Sequence, residues 1–272
     1  DDSKLLPEEQ AQAFHHTVAQ LLFLCMRARP DIQTAVSFLT KRVQKPDEDD
    51  WGKLKRVLQY LKGTKYMKLT LSVDNLSTIR WWVDASYGVH SDCKGHTGMM
   101  MSLGKGAAMS FSRGHKLNGR SSTEAELIGI DDAIPSMMWG KYFIEAQGYT
   151  VEHNILYQDN KSTILLATNG RMSSSKRTKH IKHRFFLVKD LVDRGELEIR
   201  YEPTESMWSD ILTKAKQGRP FREMRAELMN CPANYDDEVE RKRTHPKLLP
   251  ADDSAATPVP ENDRSGNAHG GA

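Results

Sequence analysis

Thr78-Ile79-Arg80-Trp81-Trp82-Val83-Asp84-Ala85-Ser86-Tyr87 is the stretch whose reading decides the fold. From Thr78 to Val83 it is rich in β-branched and aromatic residues, the composition of a strand, with Ile79, Trp81 and Val83 on one face. Asp84 comes where the apolar run stops, so its carboxylate leaves the core and faces the rim of a sheet. The bland reading of such a residue is a turn aspartate that caps a loop. Trp81 and Trp82 fall on opposite faces. One of them belongs to the core, and the other either covers a helix or meets a substrate.

Working outward, Met67 to Val73 alternates like a preceding strand, and Thr97 to Leu103 and Ala107 to Phe111 read as two more, joined by a Gly104-Lys105-Gly106 turn. Ser121 begins a long helix with Leu127, Ile130, Ile134 and Met137 or Met138 on one face, and Pro135 is expected to kink it. Asn154 to Gln158 reads as a strand, Ser162 to Thr168 as a short helix, His180 to Asp193 as a helix with Ile181, Phe185, Val188 and Val192 inward, Leu197 to Tyr201 as a strand, and Met207 to Lys214 as a helix. Hairpin strands followed by a helix and then by alternating strand and helix make an α/β sheet with helices against its faces. Residues 7 to 62 read differently, as helix throughout. Phe14, Val18, Leu21, Leu22 and Cys25 repeat at helical spacing, Pro30-Asp31 starts a second helix with Ile32, Val36, Leu39 and Val43, and a third carries Trp51, Leu54, Val57, Leu58 and Leu61 up to Gly63. From Pro232 onward Pro, Asp, Ser, Ala and Gly dominate without periodicity, the pattern of a disordered tail. The expected division is therefore a helical segment over 1–66, an α/β domain over 67–230 and a polar tail over 231–272.

The composition bounds the partners. The chain has 272 residues and a formal charge of only +3, so affinity for nucleic acid has to come from local patches. Cys25, Cys93 and Cys231 lie far apart and make no C-x-x-C pair, which suggests neither a disulfide framework nor a cysteine zinc site and fits a reducing compartment. No secretory signal is visible after Asp1-Asp2-Ser3-Lys4, and this start reads as the cut end of a longer reading frame. The longest apolar run, around Leu21 to Met26, is too short to span a bilayer, so no membrane partner is expected.

Four acids recur in related settings. Asp84 ends a strand; Glu124 and Glu126 lie in the first turn of the Ser121 helix; Asp159 ends the strand Ile155-Leu156-Tyr157; Asp210 opens the Met207 helix. Each alone has an ordinary reading, as a turn residue, a first-turn acid favoured by the helix dipole, an N-cap or a surface acid. Ser121 and Glu124 have capping-box spacing, which leaves Glu126, on a different face, free to reach toward Asp84. Carboxylates delivered from strand ends and helix starts can converge, and about 4 Å apart they repel by roughly 4 kcal/mol per pair at an effective dielectric of 20. Such a cluster is tolerable where it holds hard divalent cations such as Mg²⁺. The densest basic run, Lys176-Arg177-Thr178-Lys179-His180-Ile181-Lys182-His183-Arg184, is either a solvated helix start or a phosphate-contacting face; His180 and His183 lack a third ligand nearby in sequence.

Residues 78 to 216 resemble the ribonuclease H domain of Ty/copia-type retrotransposon polyproteins. The likeness lies in Val83-Asp84-Ala85-Ser86-Tyr87-Gly88, His96-Thr97-Gly98, Ser121-Ser122-Thr123-Glu124-Ala125-Glu126, Asp159-Asn160-Lys161-Ser162, Arg177-Thr178-Lys179-His180-Ile181 and Asp210-Ile211-Leu212-Thr213-Lys214. The helical part is similar to the reverse-transcriptase thumb or connection segment that joins polymerase to ribonuclease H, through Val18-Ala19-Gln20-Leu21-Leu22-Phe23-Leu24, Arg29-Pro30-Asp31-Ile32 and Leu58-Gln59-Tyr60-Leu61-Lys62-Gly63-Thr64.

The resemblance implies a ribonuclease H-like fold, a mixed five-stranded sheet flanked by helices, preceded by a small helical segment. It implies two Mg²⁺ ions, with Mn²⁺ as a substitute, held by Asp84, Glu126, Asp159 and Asp210 as the catalytic acids. The partners it implies are an RNA–DNA hybrid, contacted by Lys176, Arg177, Lys179, His180 and Lys182, and the polymerase portion of the same polyprotein. The compartment it implies is the cytoplasm, within virus-like particles, with access to the nucleus. Two departures stand out. The loop before the last acid, Glu202-Pro203-Thr204-Glu205-Ser206, lacks the histidine that many ribonucleases H carry there. No Tyr-x-Asp-Asp is present, since Tyr235-Asp236-Asp237 lacks the intervening residue, so the chain is not expected to polymerise DNA. The rival reading is an inactive nucleic-acid-binding or scaffolding remnant of a transposon.

Overall fold

The strand read from Thr78 onward is the middle of the sheet. In the computed structural model, which describes residues 3–169 and 182–236, β2 (Thr78–Ser86) pairs antiparallel with β3 (His96–Ser102), and β3 pairs antiparallel with β5 (Met109–Gly114). On its other side β2 pairs parallel with β6 (His153–Gln158), which pairs parallel with β7 (Glu198–Tyr201). The order β5-β3-β2-β6-β7 is a five-stranded mixed sheet, the architecture the resemblance implied. Trp82 aligns with Tyr157 across β2 and β6, so Asp84 and Asp159 each lie two residues beyond the same rung, at one rim. That adjacency follows from the parallel pairing alone.

Strand alternation divides the two tryptophans. Trp81 is fully buried in the core with Ile79, Val83, Met99, Ile130, Met137 and Leu156, beneath α4 (Ser122–Ala146), and its indole N–H donates to Asn154 Oδ1 at 2.7 Å. Satisfying that donor removes the penalty of burying it. A Cβ on Gly140 of α4 would lie 2.9 Å from Trp81 Cζ2, so the helix approaches the ring where only glycine leaves room. The helix is continuous through Pro135. Trp82 packs on the opposite face with Met100, Met207, Ile211, Leu212 and Leu228, stacked on Tyr157 at 5.1 Å. It therefore covers helical structure, one of the two roles expected for it.

Upstream, α1 (Glu8–Arg27), α2 (Gln33–Thr40) and α3 (Glu48–Gly63) bury Phe14, Val18, Leu21, Cys25, Val36, Leu39, Leu54 and Val57 against one another. A full capping box starts α3: Asp50 N–H donates to Asp47 Oδ1 at 2.8 Å and Asp47 N–H to Asp50 Oδ2 at 3.2 Å. Arg29 is buried yet makes four hydrogen bonds, donating to both oxygens of Asp31 at 2.9 and 2.7 Å and to Thr64 O and Oγ1 at 3.1 and 2.8 Å. The helices belong to the same compact unit as the sheet, Asp1–Ala233. Thr34 Oγ1 donates to Ile211 O at 2.6 Å, which ties α2 to the far end of the chain.

Two expectations are corrected, and one helix is added. Over 67–73 only Ser72–Val73 (β1) pairs, with Gly104–Lys105 (β4), because Leu71 and Val73 stay more than half exposed and have no sheet face to cover. The segment from Met207 is not an α-helix but a 3₁₀ helix, Trp208–Leu212, closed by bonds such as Asp210 N–H to Met207 O at 2.9 Å. A further helix, α7 (Gly218–Met229), lay unread because its surface is strongly polar; its buried Met224 and Leu228, with Phe221 beside them, do have helical spacing. The short helix read over Ser162–Thr168 is α5 (Lys161–Asn169), and of the His180–Asp193 helix, α6 is described from Lys182 to Asp193, with Val188 and Leu191 inward. The expected tail lies outside the described residues from 237 onward. Among the described residues no helix is long and apolar enough to cross a membrane.

Candidate metal centre

Three elements deliver carboxylates to one point on the sheet rim. Asp84 lies near the end of β2, Glu126 in the first turns of α4, and Asp159 just beyond β6; one carboxylate oxygen from each lies within 4.8 Å of the other two. Glu126 and Glu124 divide as the capping argument expects. Glu124 N–H donates to Ser121 Oγ at 3.1 Å, and Glu124 Oε2 accepts the Arg120 N–H at 2.8 Å. Glu126 turns inward, where its Oε2 accepts the Ala85 N–H at 3.1 Å and Gln158 Nε2 at 3.3 Å. Asp210, on the 3₁₀ helix, stands beside this trio, against Asp84, with both oxygens taken by ammonium groups: Lys214 Nζ at 2.5 Å and Lys216 Nζ at 2.6 Å.

The electrostatics follow from burial. Asp84 is 1% exposed. Burial pushes its carboxyl up to about 6, against the pull of Lys214 and with the added repulsion of Asp210. Burial, and then the charges of Asp84 and Asp159, raise Glu126 well above the carboxylate range. Burial works to raise Asp210 too, but hydrogen bonds from Lys214 and Lys216 outweigh it and hold Asp210 below its ordinary value. Two acids pushed up and one held down beside them mark a site short of positive charge. Three carboxylates converging from rigid elements offer only hard oxygen donors, and this donor set fits Mg²⁺ or Mn²⁺.

Several polar partners escaped the sequence reading. Gln158 is fully buried and bridges Val83 O and Glu126 through its Nε2, both at 3.3 Å. Thr204 donates to Asp159 Oδ2 at 2.9 Å from the loop that lacks histidine. The Thr213 hydroxyl donates to Asp84 Oδ2. Thr213 and Lys214 stood inside a quoted motif, yet nothing in their spacing said that both turn back onto acids. Of the basic run, Lys176, Arg177, Lys179 and His180 lie outside the described residues, and Lys182 opens α6 with its side chain likewise undescribed.

The chain is 28% identical over 222 residues to the retrovirus-related Pol polyprotein from transposon TNT 1-94 of Nicotiana tabacum, a match covering 81% of the chain. It is 30% identical over 199 residues to the corresponding polyprotein from transposon RE2 of Arabidopsis thaliana, covering 72% of the chain. The chain is a homologue of retrotransposon Pol polyproteins. The matches take in 16% and 14% of those two Pol proteins, so the chain spans about one-sixth of their length or less. No protein-family model matches this Pol homologue. Among solved structures, LC11-RNase H1 in complex with an RNA/DNA hybrid aligns at 15% identity and a TM-score of 0.38, over 50% of this chain and 94% of that one.

Proposed function

We propose that this chain is the ribonuclease H part of a retrotransposon Pol polyprotein and hydrolyses the RNA strand of RNA–DNA hybrids. The observation that carries the reading is the convergence of Asp84, Glu126 and Asp159 within 4.8 Å at one rim of the sheet, in a chain homologous to Pol. Residues 1–66 would then be the thumb or connection segment that meets the polymerase portion, and 67–230 the nuclease.

Asp84, Glu126 and Asp159, with Asp210 beside them, are the residues that would hold two Mg²⁺ ions, or Mn²⁺ in their place. Such a pair, when bound, supplies an activated water and stabilises the leaving 3′ oxygen of an in-line displacement at phosphorus. The chain's own residues hold the acids in place. Gln158 and the Ala85 N–H fix one oxygen of Glu126, Thr204 orients Asp159, and Thr213 orients Asp84. These hydrogen bonds each fix one oxygen of an acid, which limits how the three carboxylates can turn. Selectivity for a hybrid would come from minor-groove shape and ribose 2′-hydroxyl contacts, which separate RNA from DNA. Lys176, Arg177, Lys179, His180 and Lys182 are the proposed phosphate contacts, adding a salt-dependent share of the affinity.

The presence of all four acids favours a working nuclease over an inactive remnant. Asp159→Asn tests the choice, because it removes a charge and keeps the shape. The variant should melt like the wild type and lose Mg²⁺-dependent cleavage of a hybrid, while duplex DNA and single-stranded RNA stay uncut by either protein. Wild-type turnover by folded Asp159→Asn would remove this residue from the site, and a wild type that binds hybrid without cutting it would favour the remnant.

A further inference from the structure

The segment that carries Asp210 continues into Thr213-Lys214-Ala215-Lys216, and its two cations return to the acidic rim. Lys214 Nζ lies 2.5 Å from Asp210 Oδ1 and 3.4 Å from Asp84 Oδ2, while Lys216 Nζ lies 2.6 Å from Asp210 Oδ2. Both acids are almost wholly enclosed, with side chains 2% exposed, whereas the Lys214 side chain is 43% exposed. A lysine anchored to two buried acids but open to solvent along its stem differs from a surface ion pair, in which both partners are free and little is gained.

We infer that Lys214 is a resident counter-cation of the metal centre: its ammonium bridges Asp84 and Asp210 while no divalent ion is bound, and it leaves Asp84 when one binds. The inference rests on the metal-centre reading above. Asp84 belongs to the carboxylate trio and to the lysine bridge at once. An ion coordinated by the trio would meet an ammonium already 3.4 Å from a carboxylate oxygen of Asp84, one of its ligands. Two like charges that close cannot both stay, and the one on a flexible four-carbon stem with a route to solvent is the one that moves. Lys216 cannot play the part, because among the described residues its carboxylate partner is Asp210 and not Asp84. Lys214 therefore serves two ends: it keeps four crowded acids folded without metal, and it sets the metal affinity by competing for Asp84.

The test uses the full chain, with Lys214→Gln, Lys214→Arg and Lys216→Gln beside the wild type. Melting is followed in chelator and at saturating Mg²⁺, and Mg²⁺ binding is followed by calorimetry. Lys214→Gln should melt lower than wild type in chelator, recover most of the difference with Mg²⁺, and bind Mg²⁺ about tenfold more tightly, a tenfold change being about 1.4 kcal/mol. Lys214→Arg, which keeps the charge, should bind Mg²⁺ with wild-type affinity, and Lys216→Gln should gain less than Lys214→Gln. If Lys214→Gln is unfolded in chelator, Mg²⁺ should restore its melting transition; a variant that stays unfolded in Mg²⁺ overturns the inference. So does equal or weaker Mg²⁺ binding by folded Lys214→Gln. A wild type that binds no Mg²⁺ at all overturns the metal-centre reading itself, and the two failures are told apart by that measurement.

Discussion

Gly98→Ala should separate the geometry of the site from its composition, because it leaves every acid in place. Gly98 lies on β3 directly across from Asp84 on β2. A Cβ there would stand 2.6 Å from Leu212 Cβ, 2.8 Å from Ser209 O and 2.9 Å from Leu212 C, where ordinary contact is 3.4–4 Å. The obstructing atoms are main chain or a Cβ, so no rotamer change relieves the clash, and the 3₁₀ helix has to back away. The shortfall of 3.4 − 2.6 Å against the closest atom makes that movement roughly 1 Å. Overpacking of this kind costs about 1–3 kcal/mol. For a domain of this size each kcal/mol lowers Tm by roughly 2–4 °C. The same movement carries Asp210, Thr213 and Lys214 off Asp84, and a misplacement of about 1 Å can cost roughly 10²-fold in rate. Hybrid cleavage with matched thermal melts measures both effects. Gly52→Ala is the control: it lies inside α3 with nothing within 4 Å of its would-be Cβ, and it should gain about 0.5–1 kcal/mol without touching turnover. Wild-type turnover and Tm in Gly98→Ala would refute the claim that the close approach of this helix to the sheet builds the site.

Two further outcomes are expected. Glu126→Gln should lose hybrid cleavage by orders of magnitude, while Glu124→Gln, still able to accept the Arg120 N–H, should keep it; the reverse result would mean the wrong helix face was assigned to the metal. The second concerns acid. Burial, followed by the charges of His90, Lys41 and His115, depresses His96 to about 3 from 6.5, so the native state holds it neutral. A depressed histidine contributes stability that is complete above 6.5 and is lost as pH falls from there toward 3. At pH 5 the loss is about 2 kcal/mol, from roughly 1.5 pH units at 1.36 kcal/mol each. Melting from pH 7.5 to 5 should therefore fall more steeply for wild type than for His96→Gln, and equal slopes would place the acid sensitivity elsewhere.

How much of this was readable beforehand depends on how local each cause is. Asp84 and Asp159 were legible because each follows an apolar run at one end of a strand, although β2 runs two residues past Asp84, and parallel pairing brings such ends together without further information. The division between Glu124 and Glu126 was legible because a cap is a contact over three or four residues. Strand alternation put the two tryptophans on opposite faces, but which one is core and what the other covers needed the structure. Gln158 on Glu126, Thr204 on Asp159 and Thr213 on Asp84 join residues 32, 45 and 129 positions apart, and no local pattern encodes such pairs. The alternation over Met67 to Val73 misled for a related reason. It reports that a segment suits a strand, not that a partner edge exists, and only Ser72–Val73 finds one.

The placement of Asp210 has a cause that runs through the whole unit. The 3₁₀ helix that carries it is too short to hold itself, and its neighbours fix it from three sides. Below, Ile211 and Leu212 pack on Trp82 and Met100 of the sheet. Behind, α7 contributes Met224 and Leu228 to the same cluster. From the helical segment, Thr34 donates to Ile211 O at 2.6 Å, and the edge of Tyr60 meets Phe221 of α7 at 5.8 Å between ring centres. Tyr60 is itself held, its hydroxyl donating to Asp31 Oδ2 at 2.6 Å within the buried Arg29–Asp31–Thr64 network. Loosening any member of that chain removes packing from the element that presents Asp210, Thr213 and Lys214 to Asp84. Residues 1–66 thus help set the geometry of the acids at the sheet rim.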